Sequence, residues 1–474
     1  MTRGKKLLAL LLVLAVLAVG TALLSNMQLN EDAQIDDTSV TILSVDTEAV
    51  TTLSWTYGGD SPSFVRSDDS WENAEDSAFP VDGTKLDLML VSLTDVTASA
   101  TIADVSDLSQ YGLEEPECTI SVTGGTDATL CIGSETTMGG ERYVSLGDGN
   151  VYMVDEGILD DFSYSLSDLL LLEEMPDLST ATSLSIQTAS QTISMVYLEE
   201  NDLTYSDSYV WFEDRDGSYT TLDTELVEAL LSSIAGIGLD TCVDYNAEGS
   251  LALYGLEEPA ATIVIDYTES VDVELEETDN NGDPIVISEE TPAACTLEIG
   301  STEAGSFIRL AGSNMVYSLD SDLCQTLLYT TTSELLPDDV LLMDWETVTS
   351  LDITLDGKVT TITREVVSTE AEDGTVTDET VYTMDGAETD GESVLDALDS
   401  LTSTGYAYGT SPERNLEIAV TIHRNTDSFQ TVELALYQHD STACLATLDG
   451  SATVYVSRSA VVDLIEAVNA LILA

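Results

Sequence analysis

The sequence Tyr-Gly-Leu-Glu-Glu-Pro occurs twice in this chain, at residues 111–116 and again at 254–259. Identity over six residues, at a separation the size of a whole domain, indicates duplicated units. With 474 residues and 43% hydrophobic residues, the chain is long enough for about three domains with their own cores. The repeat therefore predicts a tandem architecture before any secondary structure is assigned.

Three similar segments open with alternating apolar and Ser/Thr residues, which predicts strands buried on one face. These strands are residues 50–55, 181–186 and 348–353. A short amphipathic helix follows in each copy, because apolar residues recur at a spacing of three to four. The helical positions are Leu86, Met89, Leu90 and Leu93; Leu226, Val227, Leu230, Leu231 and Ile234; and Val394, Leu395, Leu398 and Leu401.

The repeated hexapeptide leads into further predicted hairpins, and the third copy keeps a shortened form, Tyr408-Gly409 with Pro412. Two acidic insertions, about 269–292 and 369–379, are predicted to be extended hairpin tips, and a closing helix is predicted over about 459–473. The predicted fold is α+β: three mainly antiparallel β modules, each with a short amphipathic helix. The module bounds are 40–176, 177–337 and 340–474, the last being degenerate.

The N-terminus predicts export. Arg3, Lys5 and Lys6 precede an uncharged apolar run over residues 7–24, and acidic residues follow it. The run is long enough for one transmembrane helix, and the positive flank places the N-terminus inside. We expect an uncleaved signal anchor within residues 1–30 and a single-pass cell-membrane protein whose bulk is extracytoplasmic. A cleaved signal peptide is the alternative.

The charge balance excludes one class of partner. The chain has 88 acidic and 13 basic side chains, for a net charge of −75. Such a surface repels phosphate backbones, so we expect no nucleic-acid binding. Solubility explains the acidity most simply, while weak divalent-cation binding and attraction to a basic partner stay open.

The six cysteines include no Cys-x-x-Cys pair, so zinc-ribbon and redox motifs are absent. Cys118 and Cys131 flank a predicted hairpin turn and could face one another and bridge. The alternative is that they are small buried hydrophobic residues.

Several residues could have a functional role, but a purely structural role explains each of them equally well. The adjacent carboxylates of the hexapeptide could bind a metal, but the segment is typical of a turn. Trp71 and Trp211 occupy matching places and could stack on sugars or seal the core. His423 and His439 lie on opposite strands of a predicted hairpin, without any catalytic signature beside them. Residues 277–283 approach a calcium loop, but Ser288 stands where its bidentate glutamate is required.

Taken together, the N-terminal anchor, Trp71 with residues 79–82, the two hexapeptides and their following Ile-Gly strands resemble the domain-of-unknown-function 4340 family of bacterial envelope proteins. The resemblance covers about residues 40–336 well and the third copy weakly. It implies a fold lineage and no established chemistry. It also implies an accessory role beside transport-type or gliding-type machinery.

The sequence therefore predicts a membrane-anchored, non-enzymatic scaffold or accessory subunit of an envelope assembly such as a transport system. It predicts no catalytic, cofactor-binding or metal-binding residues and no cofactor. Its expected partners are the membrane, through the N-terminal helix, and an envelope or transporter protein. The alternative function is a cell-surface carbohydrate- or calcium-binding protein, and an enzyme is the third hypothesis.

Overall fold

A computed structural model describes most of the chain: residues 39–68, 70–278, 284–370, 376–407 and 409–473. The chain divides into two compact units, Met1–Glu173 and Glu174–Ala474. The predicted membrane anchor lies outside the described residues. Among the residues that are described, no helix has the length and apolar character needed to cross a bilayer.

The first unit contains one antiparallel sheet of nine strands. Its strands are β1 Val40–Leu43, β2 Thr52–Tyr57, β3 Ser63–Ser67, β4 Ser70–Asn73, β5 Val96–Ile102, β6 Cys118–Thr123, β7 Ala128–Glu135, β8 Glu141–Ser145 and β9 Val151–Asp155. Their order across the sheet is β1-β5-β9-β8-β7-β6-β2-β3-β4. Strand β2, predicted from its alternation, is an internal strand that pairs with β3 on one side and β6 on the other.

The second unit contains two further antiparallel sheets of nine strands each. The second sheet comprises β10 Ala181–Thr188, β11 Thr192–Tyr197, β12 Trp211–Arg215, β13 Ser218–Thr221, β14 Cys242–Asp244, β15 Ala261–Thr278, β16 Pro284–Thr302, β17 Gly305–Leu310 and β18 Val316–Ser318. The third comprises β19 Val348–Leu355, β20 Lys358–Glu370, β21 Val376–Met384, β22 Ala387–Glu388, β23 Ser403–Tyr406, β24 Leu416–Arg424, β25 Thr431–Gln438, β26 Ala443–Leu448 and β27 Ser451–Ser457.

The three sheets share one strand order. The second sheet runs β14-β18-β17-β16-β15-β10-β11-β12-β13, and the third runs β23-β27-β26-β25-β24-β19-β20-β21-β22. Position by position, these two orders are identical. The first sheet matches them from β5 through β4, with β1 added at one edge and no counterpart of β13. The predicted duplication therefore extends to the topology of the degenerate third copy.

Within the described ranges, six α-helices accompany the sheets: α1 Gly83–Val91, α2 Gly157–Asp160, α3 Thr224–Ala235, α4 Ser321–Tyr329, α5 Glu392–Asp399 and α6 Arg458–Leu473. The predicted amphipathic helices correspond to α1, α3 and α5. The first two begin at aspartate N-caps, Asp82 and Asp223, whose side chains accept backbone N–H groups of the first turn.

A second helix follows the last hairpin of each sheet. Sequence reasoning found this helix only in the third copy, as α6. Helices α5 and α6 bury Val394, Leu398 and Leu464 in one cluster with the apolar face of the third sheet. One position of the predicted stripes was wrong: Leu226 is exposed, because it borders an open pocket beside Thr326 and Tyr329 of α4.

Tight Asp-Gly turns close four of the hairpins in the second unit. The aspartates Asp216, Asp356, Asp385 and Asp449 all have positive φ, as do the glycines that follow them. Two-residue turns of this kind match the twist of antiparallel strands and tolerate Asp-Gly better than other pairs. These local signals fix the register of the hairpins.

The two acidic insertions form strands. Beyond the part of β15 that pairs with β10, the β15–β16 ladder continues from Thr268 opposite Pro292 to Glu274 opposite Val286. The β20–β21 ladder likewise continues to Glu370 opposite Val376. Both insertions thus extend a hairpin of the sheet as a two-stranded ribbon, as the sequence predicted.

Candidate functional site

The repeated hexapeptide forms a corner that locks onto a neighbouring strand. Gly112 and Gly255 adopt φ of 70° and 68° at the end of a short 3-10 turn, which is left-handed backbone that glycine tolerates best. The following leucines, Leu113 and Leu256, are buried.

The partner of each corner is a glycine in the adjacent strand. A Cβ atom on Gly133 of β7 would lie 2.3 Å from the carbonyl oxygen of Tyr111, and one on Gly300 of β16 would lie 2.0 Å from that of Tyr254. The Tyr-Gly-Leu corner and the Ile-Gly strand therefore recur together because their backbones touch. The adjacent glutamates are exposed to solvent: Glu114, Glu115, Glu257 and Glu258.

Trp71 and Trp211 occupy corresponding strands, β4 and β12, and are 7% and 2% exposed. The indole of Trp71 donates to Asp87 at 3.0 Å and lies under the guanidinium of Arg66. Trp211 packs edge-to-face against Tyr197 at 5.6 Å. Both indoles are almost fully buried, which assigns them to the core; Trp211 and Tyr197 also border an open pocket of about 530 Å³.

The two histidines lie at opposite ends of the β24–β25 hairpin. His423 Nε2 lies 2.9 Å from an Asp352 oxygen on the neighbouring strand β19. Hydrogen bonds from Thr361 and His423 lower the pKa of the Asp352 carboxyl. His439 is exposed, and its ring lies 4.6 Å from that of Tyr455.

Of the two interpretations of Cys118 and Cys131, the structure excludes the facing pair and places Cys118 in the core. In the β6–β7 register Cys118 lies opposite Ile132, and Cys131 lies opposite Thr119. Neighbouring register positions point to opposite faces of a sheet, so the two thiols are separated by the sheet itself. Both are free, and burial raises the pKa of the Cys118 thiol to about 12.

The calcium-like segment 277–283 lies largely outside the described residues. Over the described ranges, no group of three or more His, Cys, Asp or Glu side chains is arranged to hold a metal ion. The calcium alternative therefore has no site among those ranges that could be tested by geometry.

The most organised polar contacts of the second unit lie between its two sheets. We call this contact the seam; it comprises Tyr205 on one side and Arg424, Phe429 and Asp449 on the other. These contacts centre on the docking loop, residues 198–210, which connects β11 to β12. Asn201 ties the two ends of this loop together by donating to the carbonyls of Leu198 and Tyr209. The Thr224 hydroxyl donates to the Ser208 carbonyl at 2.9 Å and so fixes the loop to the start of α3. These contacts fix the conformation of the loop within the second module, independently of its contacts with the third sheet.

Arg424, at the end of β24, binds the docking loop to the third sheet. Its side chain is 9% exposed. The guanidinium donates to the Tyr205 carbonyl at 2.5 Å and to the Thr347 hydroxyl at 2.9 Å. Burial lowers the pKa of Arg424, while Asp344 and Asp207 oppose that effect. A buried cation with geometrically matched acceptors makes this contact specific.

The side chain of Tyr205 makes the other contacts between the docking loop and the third sheet. Its ring meets Phe429 edge-to-face at 5.0 Å, and its hydroxyl donates to Asp449 at 2.9 Å. Phe429 lies in the β24–β25 turn and Asp449 in the β26–β27 turn, so one side chain contacts two turns of the third sheet. Burial, followed by the hydrogen bond to Asp449, raises the pKa of the Tyr205 phenol.

A cleft of about 340 Å³ opens beside the seam. Three tyrosines line it, Tyr205, Tyr219 and Tyr406, together with the carboxylate of Asp339. The Tyr209 hydroxyl lies 3.4 Å from an Asp339 oxygen. Burial, then the neighbouring Asp399 charge, raises the pKa of Asp339.

Sequence reasoning missed these residues. The available signal was a length difference: the corresponding connection in the first sheet is residues 68–69, whereas the docking loop spans 198–210. Arg424 carried a signal as well, because the chain has only 13 basic residues and one of them follows an otherwise apolar-alternating strand.

Comparison with known families gives two matched stretches, residues 71–171 and 214–417, both to the family described as Domain of unknown function (DUF4340). The chain belongs to this family. It carries two copies of the DUF4340 domain, and the second match begins in β12 and ends in β24. No curated protein and no solved structure matches the chain.

Proposed function

We propose that this DUF4340 protein is a membrane-tethered, extracytoplasmic scaffold without enzymatic activity. It would serve as an accessory subunit of an envelope assembly such as a transport system. The proposed modules are residues 40–176, 177–337 and 340–474, and the proposed tether is the apolar segment within residues 1–30.

The observation that carries the proposal is the seam. Its buried cation, Arg424, joins two sheets: one bond goes to the Tyr205 carbonyl of the docking loop, and the other goes to the Thr347 hydroxyl beside β19, which holds the guanidinium in place. The repeated corner likewise holds a backbone against a strand. Polar groups that hold modules in fixed relative positions are typical of a scaffold, because a scaffold must present a binding surface of constant shape.

The tether rests on the sequence. The basic residues Arg3, Lys5 and Lys6 precede the uncharged run 7–24, and all 88 acidic residues follow it. This asymmetry supports an exported bulk and a retained N-terminus.

Location is tested by fractionation of cells that produce the full chain. We expect the protein in the membrane fraction, resistant to alkaline carbonate and digested by external protease only after the outer barriers are opened. Deleting residues 1–30, with an unrelated cleavable signal in their place, should release the same modules in soluble form. Recovery of the full chain as a soluble protein would contradict the tether.

Partnership is tested with a photocrosslinking amino acid at exposed positions that the fold does not use. Met138, Leu253 and Tyr329 are 88%, 70% and 67% exposed. We expect at least one position to give a discrete crosslinked envelope protein in intact cells, whereas the buried position Leu256 should give none. Uniform, position-independent crosslinking would count against a specific scaffold.

A further inference from the structure

The cleft beside the seam combines three features that point to one class of ligand. Its volume of about 340 Å³ lies at the lower end of the range for small-molecule sites. Its walls combine aromatic, aliphatic and threonine side chains, and one carboxylate, Asp339, shares the lining.

Two of the tyrosine rings are held by their hydroxyl groups. Tyr406 donates to the Pro337 carbonyl at 3.1 Å, and Tyr205 donates to Asp449 at 2.9 Å. Tyr219, on the edge strand β13, is 43% exposed and packs edge-to-face against Phe212. Rings that are fixed in place lose little conformational entropy when a ligand binds against them.

The charges around Asp339 all have the same sign. Asp399, Asp223 and Asp338 are the charged groups that act on its carboxyl, and each raises its pKa. The other polar neighbour is the Tyr209 hydroxyl at 3.4 Å. A cation bound there would gain from all of these carboxylates and would relieve their mutual repulsion.

Tyrosine faces with a carboxylate recognise organic ammonium groups, since the ring quadrupole attracts a weakly hydrated cation and the carboxylate neutralises its charge. An inorganic divalent cation instead requires six or more oxygen ligands. We propose that this cleft, between the docking loop and the third sheet, binds an organic ammonium ion, such as a quaternary amine or the end of a lysine side chain.

The test is isothermal titration calorimetry on the purified full-length chain. The probes are choline, its neutral isostere 3,3-dimethylbutan-1-ol, n-butylammonium and calcium chloride. We expect saturable binding of at least one of the two ammonium probes and at least tenfold weaker binding of the neutral alcohol. Lowering the pH from about 7 to about 4 should weaken ammonium binding, because protons compete for Asp339.

Variants assign the binding to the cleft. Asp339→Asn should weaken ammonium binding at least tenfold, and Tyr219→Leu about fivefold. The matched control is Asp216→Asn, at the exposed β12–β13 turn, where asparagine tolerates the positive φ. It should leave the affinity unchanged. Circular dichroism of each variant confirms that the sheets are retained.

Three outcomes would overturn the inference. The first is equal affinity for choline and its neutral isostere, which would make the cleft a purely apolar site. The second is calcium binding lost in Asp339→Asn without ammonium binding. The third is no binding of either ammonium probe up to its solubility limit in a folded, unmodified chain. None of these outcomes bears on the tether or on the crosslinked partner, so the cleft and the scaffold can fail separately.

Discussion

The corner and the seam differ in how their residues are distributed along the sequence. The corner occurs twice with the same letters, and each copy places a glycine of a neighbouring strand against a tyrosine carbonyl. The seam occurs once, and its contacts join residues separated by more than 200 positions, such as Tyr205 with Arg424 and Asp449. Repeated residues thus maintain the fold of a module, whereas unrepeated ones decide how neighbouring modules are joined.

The difference is clearest at one point of the shared topology. Between the second and third strands of each copy, counted from β2, β10 and β19, residues 68–69 separate the strands in the first sheet and the docking loop separates them in the second, whereas in the third the two strands themselves extend as an acidic ribbon. The same position therefore varies while the strand order does not. Such connections tolerate insertion because they lie at the surface.

The largest effect is expected at the corner. Gly300→Ala places a Cβ atom 2.0 Å from the Tyr254 carbonyl oxygen and 3.0 Å from Leu256. Since both neighbours are fixed by the corner, the strand must shift, and we expect a loss of about 3 kcal/mol in the free energy of unfolding. Urea unfolding followed by circular dichroism measures it.

Gly312→Ala is the control for this substitution. Gly312 has φ of 85°, but an added Cβ atom would meet nothing within 4 Å. The cost should be about 1 kcal/mol, from the left-handed backbone alone. Equal losses for the two variants would mean that the corner makes no special contact.

The second effect is expected at the seam. Arg424→Met keeps the length of the side chain but leaves the Tyr205 carbonyl and the Thr347 hydroxyl without their charged donor. We expect a loss of about 2 kcal/mol, concentrated in the docking loop. Hydrogen exchange should accelerate in residues 198–210 and stay unchanged at the Tyr254 corner. Lys358→Met, an exposed residue of the same sheet, is the control. Faster exchange throughout the second sheet would show that the seam and the module fold are not separable.

Sequence reasoning succeeded where the determinant is local or repeated. Alternation located β2, β10 and β19, apolar spacing located α1, α3 and α5, and the hexapeptide revealed the duplication. It failed where the determinant is a distant pairing. The partners of Tyr205 lie in turns of another sheet, so no window around residue 205 contains them. For Cys118 and Cys131 it left two interpretations open, because a register offset of one position decides the face to which a side chain points.

A third, smaller effect concerns alkaline pH. Burial, then the charge of Asp339, raises the pKa of the Tyr209 phenol from 10.0 to about 12. The folded state therefore favours the protonated phenol. Its contribution is complete below pH 10 and is lost as the pH rises towards 12. Because Tyr209 is only half-buried, we expect this contribution to be about 1 kcal/mol after solvent screening.

Tyr209→Phe removes this titration. The variant should lose less stability than the unmodified chain between about pH 10 and 12, as measured by urea unfolding at each pH. Absorbance of the tyrosinate band should show one fewer late-titrating phenol. Tyr329→Phe, at an exposed position, is the matched control. If the free energy of unfolding depended on pH in the same way in all three proteins, the phenol of Tyr209 would be more exposed to solvent than the structure indicates.

The smallest effect is expected from the acidic half of the repeated hexapeptide. Glu257 and Glu258 are exposed beside the buried Leu256, and their identity is shared with Glu114 and Glu115. Replacing both Glu257 and Glu258 by glutamine should change the free energy of unfolding by less than about 0.5 kcal/mol, as for surface positions generally. The corner needs the backbone of these residues and not their charge. If the double variant instead lost the crosslinked envelope partner while remaining fully stable, the carboxylates would belong to a binding surface. The contrast between module-maintaining repeats and module-joining unique residues would then fail at the very segment that defines it.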